Sequence, residues 1–263
     1  MFTKYYFAAA ALVAVVAAAP EADRVTSLPD MATFDTYPVY SGYLDIPNTT
    51  KMLHYMFVES QKSPSTDPVL IWFNGGPGCS SMLGWAQEHG PYVMDSGETT
   101  FHKNEWSWNT AANVLYIESP AGVGYSYCGN KADCTFNDDT SAQDNLTAVL
   151  AWYEKFPEFK ANDLYISGES YAGIYVPYLT NQIDQYNTAN AGNASVFKPN
   201  LKGFAVGNGV TNLFFDSQNA WVEMGYWHSL YSEELKDQFE EHACDFGGYG
   251  MPNATAKCIQ LLL

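Results

Sequence analysis

The chain has 263 residues, with 29 Asp and Glu against 12 Lys and Arg and a formal net charge of −17. This balance excludes a nucleic-acid footprint, which needs a basic face, and leaves a solvated acidic surface suited to a compartment where carboxylates lose charge and self-repulsion falls. Hydrophobic residues at 47% and aromatics at 16% supply one packed core, which excludes a disordered chain.

Lys4 precedes an alanine-rich apolar stretch through Val16 and then Ala17-Ala18-Ala19, the layout of a secretory signal peptide with a small-residue cleavage site. Pro20 disfavours cleavage directly after Ala19, so residues 1–18 read as the leader and 19–263 as the mature domain. The stretch is too short and too early for a membrane span, and no other segment is apolar enough to cross a bilayer. Sequons at Asn48, Asn145, Asn193 and Asn253 fit the secretory route and would mark exposed positions.

Residues 40–44 and 52–59 read as an antiparallel pair turning at Pro47-Asn48. Residues 69–73, 114–117, 164–167 and 201–206 are short, apolar and β-rich, as core strands are. Residues 138–156 place Leu146, Val149, Leu150 and Tyr153 at helical spacing, and strand, helix, strand in this order implies parallel pairing. After Gly209 the pattern turns helical, around 221–227 and 233–239. The expected architecture is α/β, a mixed and mostly parallel sheet flanked by helices.

Two segments carry chemistry. Gly168-Glu169-Ser170-Tyr171-Ala172-Gly173 follows the apolar run 164–167 and enters a helix-like stretch at 174–183. Strand, sharp turn and helix are what hold a nucleophilic serine at the tip of a sheet. Small residues near Ser170 let the turn pass through a strained backbone, although Ala172 stands where such elbows usually carry glycine. Upstream, Pro68-Val69-Leu70-Ile71-Trp72-Phe73 runs into Asn74-Gly75-Gly76-Pro77-Gly78-Cys79-Ser80-Ser81. An α/β-hydrolase places one oxyanion donor in such a loop, where each backbone N–H is worth about 3 to 4 kcal/mol in the transition state.

With Glu118-Ser119-Pro120-Ala121-Gly122-Val123-Gly124-Tyr125-Ser126-Tyr127 and Gly207-Asn208-Gly209, these segments resemble the serine carboxypeptidases of the α/β-hydrolase fold, over residues 37–246. The resemblance implies release of the last residue from peptide or protein C-termini through an acyl-enzyme, with neither metal nor cofactor, and leaves the oligomeric state open. It implies Ser170 as nucleophile and the N–H groups of Gly76 and Tyr171 as oxyanion hole. Trp72, Asn74, Gly75, Glu88 and Glu169 match the positions that hold the substrate's free carboxylate. That set contains no Arg or Lys, so at least one of its acids must carry a proton beside a third carboxylate, and binding should be best at acidic pH. The implied setting is the secretory pathway, ending in a lysosome-like or vacuolar compartment or outside the cell.

One expected feature has no match. In the hydrolase order an acid and then a histidine follow the serine, and only His228 and His242 come after Ser170, neither in a matching motif. His228 resembles a structural position, and with Asp184 or Asp216 it would make an improvised triad. The resemblance also implies a helical insertion starting near residue 212, with the chain ending inside it, so an N-terminal part of a catalytic domain is expected. An inactive peptide-binding relative, an acyltransferase, or a zinc site on His102, Glu105 and His228 are the alternatives. Five cysteines leave one without an internal partner. Cys128 with Cys134 and Cys244 with Cys258 suit short-loop pairing, and the resemblance implies that the partner of Cys79 lies later in the family's chain.

Overall fold

The computed structural model describes residues 19–28, 31, 37–212, 216, 220–244 and 255–262. The leader expected at 1–18 and the sequon at Asn253 lie outside them. Strands β1 (Val39–Asp45) and β2 (Lys51–Val58) form an antiparallel ladder, with Val39 opposite Val58 and Asp45 opposite Met52. Asn48 takes φ 63° in their turn, a left-handed conformation that its short polar side chain tolerates. There follow β3 (Val69–Phe73), a small hairpin of β4 (Tyr92–Val93) and β5 (His102–Lys103), then β6 (Asn113–Ile117) and β7 (Tyr127–Cys128). Helix α1 (Asp138–Lys155), β8 (Leu164–Glu169), helix α2 (Ala172–Ala189) and β9 (Leu201–Gly207) complete the sheet region. Among the described residues, three short helices come last: α3 (Ala220–Trp227), α4 (Glu233–Glu241) and α5 (Ala256–Leu262).

The main sheet runs β1-β2-β6-β3-β8-β9, with β7 against β2. Its pairs β6·β3, β3·β8 and β8·β9 are parallel, and those involving β1, β2 and β7 are antiparallel. Strands β6 and β8, the runs that the sequence pattern sets on either side of α1, are therefore parallel, as the pattern predicts, yet they flank β3 rather than touch. From β3 the chain moves to one side to form β6 and then to the other to form β8, so the order reverses at the β3–β8 junction. In open α/β sheets the crevice at the carboxyl ends of strands at such a reversal is where ligands bind.

Burial explains the layering. On one face Phe57, Ile71 and Ile166 pack against Val149, Trp152 and Val176 of α1 and α2. On the other, Met56, Val58, Trp72, Val114 and Tyr116 meet Trp85. Helix α1 starts at a capping box, in which Asn137 accepts from the Thr140 N–H while the Thr140 hydroxyl accepts from the Asn137 N–H. Asp138 and Asp139 in its first turn and Lys155 in its last complement the helix dipole. A separate small core joins Val222 and Phe239 to Cys244 and Cys258.

Asn48 and Asn193 are exposed, as sequon asparagines must be, but Asn145 is not. It sits on α1 and is 1% exposed, so the fold closes that position to a glycan, correcting the expectation for Asn145. The tripeptide is satisfied in sequence while the helical period turns its asparagine inward. Disulfides link Cys128 to Cys134 and Cys244 to Cys258, and Cys79 is an exposed thiol. Among the described residues, no helix is long and apolar enough to cross a membrane.

Candidate active site

Ser170 lies directly after β8, where the chain enters α2, and takes φ 58°. That conformation costs a residue with a Cβ about 1 to 2 kcal/mol and persists only where neighbours hold it. They do: the Ser170 N–H donates to the Gly207 carbonyl at 3.0 Å, and the Ser170 carbonyl accepts from Gly173 at 3.0 Å and Val210 at 2.9 Å. The Gly207-Asn208-Gly209 segment thus clamps the elbow from the β9 side. Ser170 itself is exposed.

The glycine-rich turn arrives beside it through the β3–β8 register. Phe73 pairs with Gly168, so the next step along both strands sets Asn74 beside Glu169 and Gly75 beside Ser170. A Cβ on Gly75 would strike the Tyr171 nitrogen and lie 2.7 Å from the Glu169 carbonyl, so only glycine allows the approach. The turn is pinned by the Gly78 N–H donating to the Tyr175 hydroxyl at 3.1 Å, a phenol that burial pushes up to about 12. Ser81 fixes its other end, accepting from the Asn74 N–H at 3.4 Å and donating to the Ile117 carbonyl at 2.7 Å.

Asn74 is the centre of the constellation. Its amide oxygen accepts from Trp72 Nε1 at 2.9 Å and the Gly84 N–H at 3.0 Å. Its amide nitrogen donates to Glu88 at 2.9 Å and to Glu169 at 2.9 Å. Two lone pairs and two hydrogens are all that an amide has, so Asn74, 1% exposed, is saturated. Glu88 reaches it from a π-helical turn, Gly84–Glu88, a geometry absent from the sequence reading. Burial raises the Glu88 carboxyl above its usual range and the neighbouring Glu169 charge adds to this, while the Asn74 hydrogen bond opposes it. The structure therefore gathers Trp72, Asn74, Gly75, Glu88 and Glu169 into one cluster, beside Gly76, Ser170 and Tyr171.

Other candidates are not brought together. His228 Nδ1 donates to the Met224 carbonyl of α3, the helix it follows, at 2.8 Å, and Asp216 accepts the N–H groups of Thr211 and Asn212 at 2.6 and 2.8 Å. Asp184 is exposed on α2. His102 faces Glu98 at 3.3 Å and Asp95 at 3.9 Å, an exposed trio that Glu105 does not join. Among the described residues, no histidine bonds to Ser170.

Sequence reasoning missed Ser81, Tyr175 and His89. Ser81 ends the quoted glycine run, and Tyr175 lies one helical turn after Tyr171, so spacing could have found both. His89, 6% exposed, stacks on Trp108 with ring centroids 4.0 Å apart and bonds to the Tyr116 hydroxyl at 3.0 Å. Burial pulls its imidazole down to about 4.

Known proteins resemble this chain in both fold and sequence. The serine carboxypeptidase family matches residues 29–262. The chain is 42% identical over 247 residues to the lysosomal protective protein of Mus musculus, covering 94% of this chain and 49% of that protein. It is 43% identical over 256 residues to a serine carboxypeptidase of Caenorhabditis elegans, covering 93% of this chain and 52% of that one. The chain thus spans about half the length of the curated relatives it matches. A prohormone-processing carboxypeptidase of Saccharomyces cerevisiae superposes with a TM-score of 0.63 at 21% identity, over 86% of this chain and 52% of that one. That likeness identifies the sheet, with its mostly parallel order and flanking helices, as an α/β-hydrolase fold. With a family match spanning nearly the whole chain and relatives above 40% identity, the chain belongs to the serine carboxypeptidase family.

Proposed function

We propose that this chain carries the nucleophile and the carboxylate-recognition pocket of a serine carboxypeptidase acting on peptide C-termini. Ser170 attacks the last peptide carbonyl, the N–H groups of Gly76 and Tyr171 receive the oxyanion, and the acyl-enzyme is then hydrolysed. Trp72, Asn74, Gly75, Glu88 and Glu169 hold the free carboxylate of the departing residue. The observation that carries this reading is the single buried amide of Asn74 shared by two carboxyl groups. A third carboxylate, from substrate, joins them only if the pair holds a proton and donates it as a hydrogen bond. Below the raised Glu88 pKa that proton is present; as pH rises through it the pair ionises and repels the ligand. The two disulfides and the lysosomal relative support a secretory route to a lysosome-like or vacuolar compartment or to the outside.

A second reading, peptide binding by this chain without turnover, is favoured by one observation: among the described residues no imidazole reaches Ser170. Calorimetry with an N-blocked dipeptide and its C-terminal amide, at pH 4.5 and 7.5, tests the pocket. The free acid should bind about tenfold tighter than the amide, or about 1.4 kcal/mol, and only at the lower pH. Equal binding of the amide would refute the carboxylate pocket. Mass spectrometry of the recovered peptide separates hydrolysis from binding alone.

A further inference from the structure

A second serine, far along the chain from Ser170, stands in a nucleophile's hydrogen-bond arrangement. On β1, Ser41 Oγ lies 2.8 Å from His54 Nε2 of β2, and His54 Nδ1 lies 2.9 Å from Glu118 Oε2 just beyond β6. Glu118 is fully buried and receives two further hydrogen bonds, from the Ser80 hydroxyl and from the Tyr125 N–H at 2.8 Å. Gly124 takes φ 55° against this carboxylate, where any Cβ would collide with Glu118 Oε1. Burial pushes the Glu118 carboxyl up, but the bonds from His54, Ser80 and Tyr125 outweigh it and hold it below the usual range.

The proton positions follow. An ionised carboxylate only accepts, so His54 Nδ1 carries hydrogen; in the neutral ring Nε2 is then an acceptor, and the Ser41 hydroxyl donates to it. The rings of Tyr43 and Tyr125 pack edge-on against the imidazole at 5.6 and 5.3 Å and fix its plane. Ser41 and His54 line a cavity of about 970 Å³ whose wall includes Met56, Met82, Trp85 and Phe101. Ser41 is half-buried and His54 is 5% exposed, so hydroxyl and base meet at an apolar wall rather than inside a sealed core.

We propose that Ser41 is a second activated serine of this chain, an acceptor for the acyl group of small apolar esters seated in this cavity, with His54 as its base and Glu118 as the positioning residue for His54. Ser41 Oγ bonds to the ester carbonyl carbon while its proton passes to His54 Nε2. The bond from that carbon to the alcohol oxygen breaks, and the alcohol leaves with the proton, giving acyl-Ser41. A small alkyl fluorophosphonate probes the same chemistry: a P–O bond forms, the P–F bond breaks, and fluoride leaves with the proton.

The test treats the whole folded chain with such a fluorophosphonate and maps adducts by peptide mass spectrometry. The expected result is an adduct on Ser41, absent from Ser41→Ala and formed on the order of 100-fold more slowly in His54→Gln, the scale of a lost general base. A hydrogen-bond chain that only braces the fold would show no adduct on Ser41, or one whose rate ignores His54→Gln; either result overturns the proposal. If circular dichroism shows that His54→Gln does not fold, labelling of the wild-type chain before and after urea unfolding decides. Labelling of Ser41 confined to the native state supports the proposal, and equal labelling in both states overturns it.

Discussion

Replacing Asn74 separates packing from charge at the centre of the cluster. Asn74→Leu keeps a similar volume but removes the acceptor used by Trp72 Nε1 and the Gly84 N–H, both inside the fold. Each orphaned buried donor costs about 1 to 3 kcal/mol, so the expected loss is about 2 to 6 kcal/mol, with little cavity contribution. Asn74→Asp keeps an oxygen for those two donors but turns an acceptor toward Glu88 and Glu169, where Asn74 supplied hydrogens. At low pH the new carboxyl is protonated and restores one donor; as pH rises it ionises between two acids, so its penalty should grow from pH 4.5 to 7 more steeply than that of Asn74→Leu, which loses only the hydrogen bond that favours ionised Glu88. Urea unfolding of the three proteins at both pH values reads this out. A Leu penalty under about 1 kcal/mol, or an Asp penalty independent of pH, would refute the saturated-amide account.

Ser170→Gly should unfold at higher urea than Ser170→Ala, by about 0.5 to 1 kcal/mol, because relief of the φ 58° strain exceeds the extra chain entropy of glycine. Equal midpoints would mean that the elbow is unstrained. His89 is held neutral by burial, with its pKa drawn down to about 4, so the stability it contributes is present above an unfolded value near 6.5 and lost as pH falls from there toward 4. The loss amounts to about 3 kcal/mol across that window, and His89→Phe, which can keep the stack on Trp108, should flatten the pH dependence of the urea midpoint. An unchanged profile would show that His89 does not titrate there.

What the sequence made legible was local. Residues 164–173 declare strand, turn and helix within one short stretch, and residues 68–81 declare a strand entering a tight turn, so the elbow and the glycine loop could be placed side by side. The order of apolar runs about a helix sufficed for a parallel sheet. The π-helical turn that delivers Glu88 was not legible, because its hydrogen bonds depend on Gly84 docking onto the Asn74 side chain, a contact made only in three dimensions. The same holds for Ser41, His54, Ser80 and Glu118, which lie on four separate segments and meet only once the β1–β2 and β2–β6 registers are fixed. Asn145 shows the converse: its sequon is readable from three residues, while its burial is decided by the face of α1 that docks on the sheet.

The small core around Val222 and Phe239 stands apart from the two faces of the sheet, and Cys244 and Cys258 are its other fully buried members. Among the described residues only Tyr231, Leu235 and Leu261 pack against these four, too small a core to balance the entropy of ordering three short helices, so the covalent link between those cysteines holds this region's shape. The sheet, by contrast, rests on a large apolar interior whose residues include neither sulfur of that bridge. The two parts of the chain therefore answer differently to the redox state of their surroundings. In a reducing milieu the elbow and its amide cluster would persist while α3, α4 and α5 come loose, and mild reduction followed by limited proteolysis would cut there first. Oxidation of Cys244 and Cys258 becomes the step that ties α4 to α5.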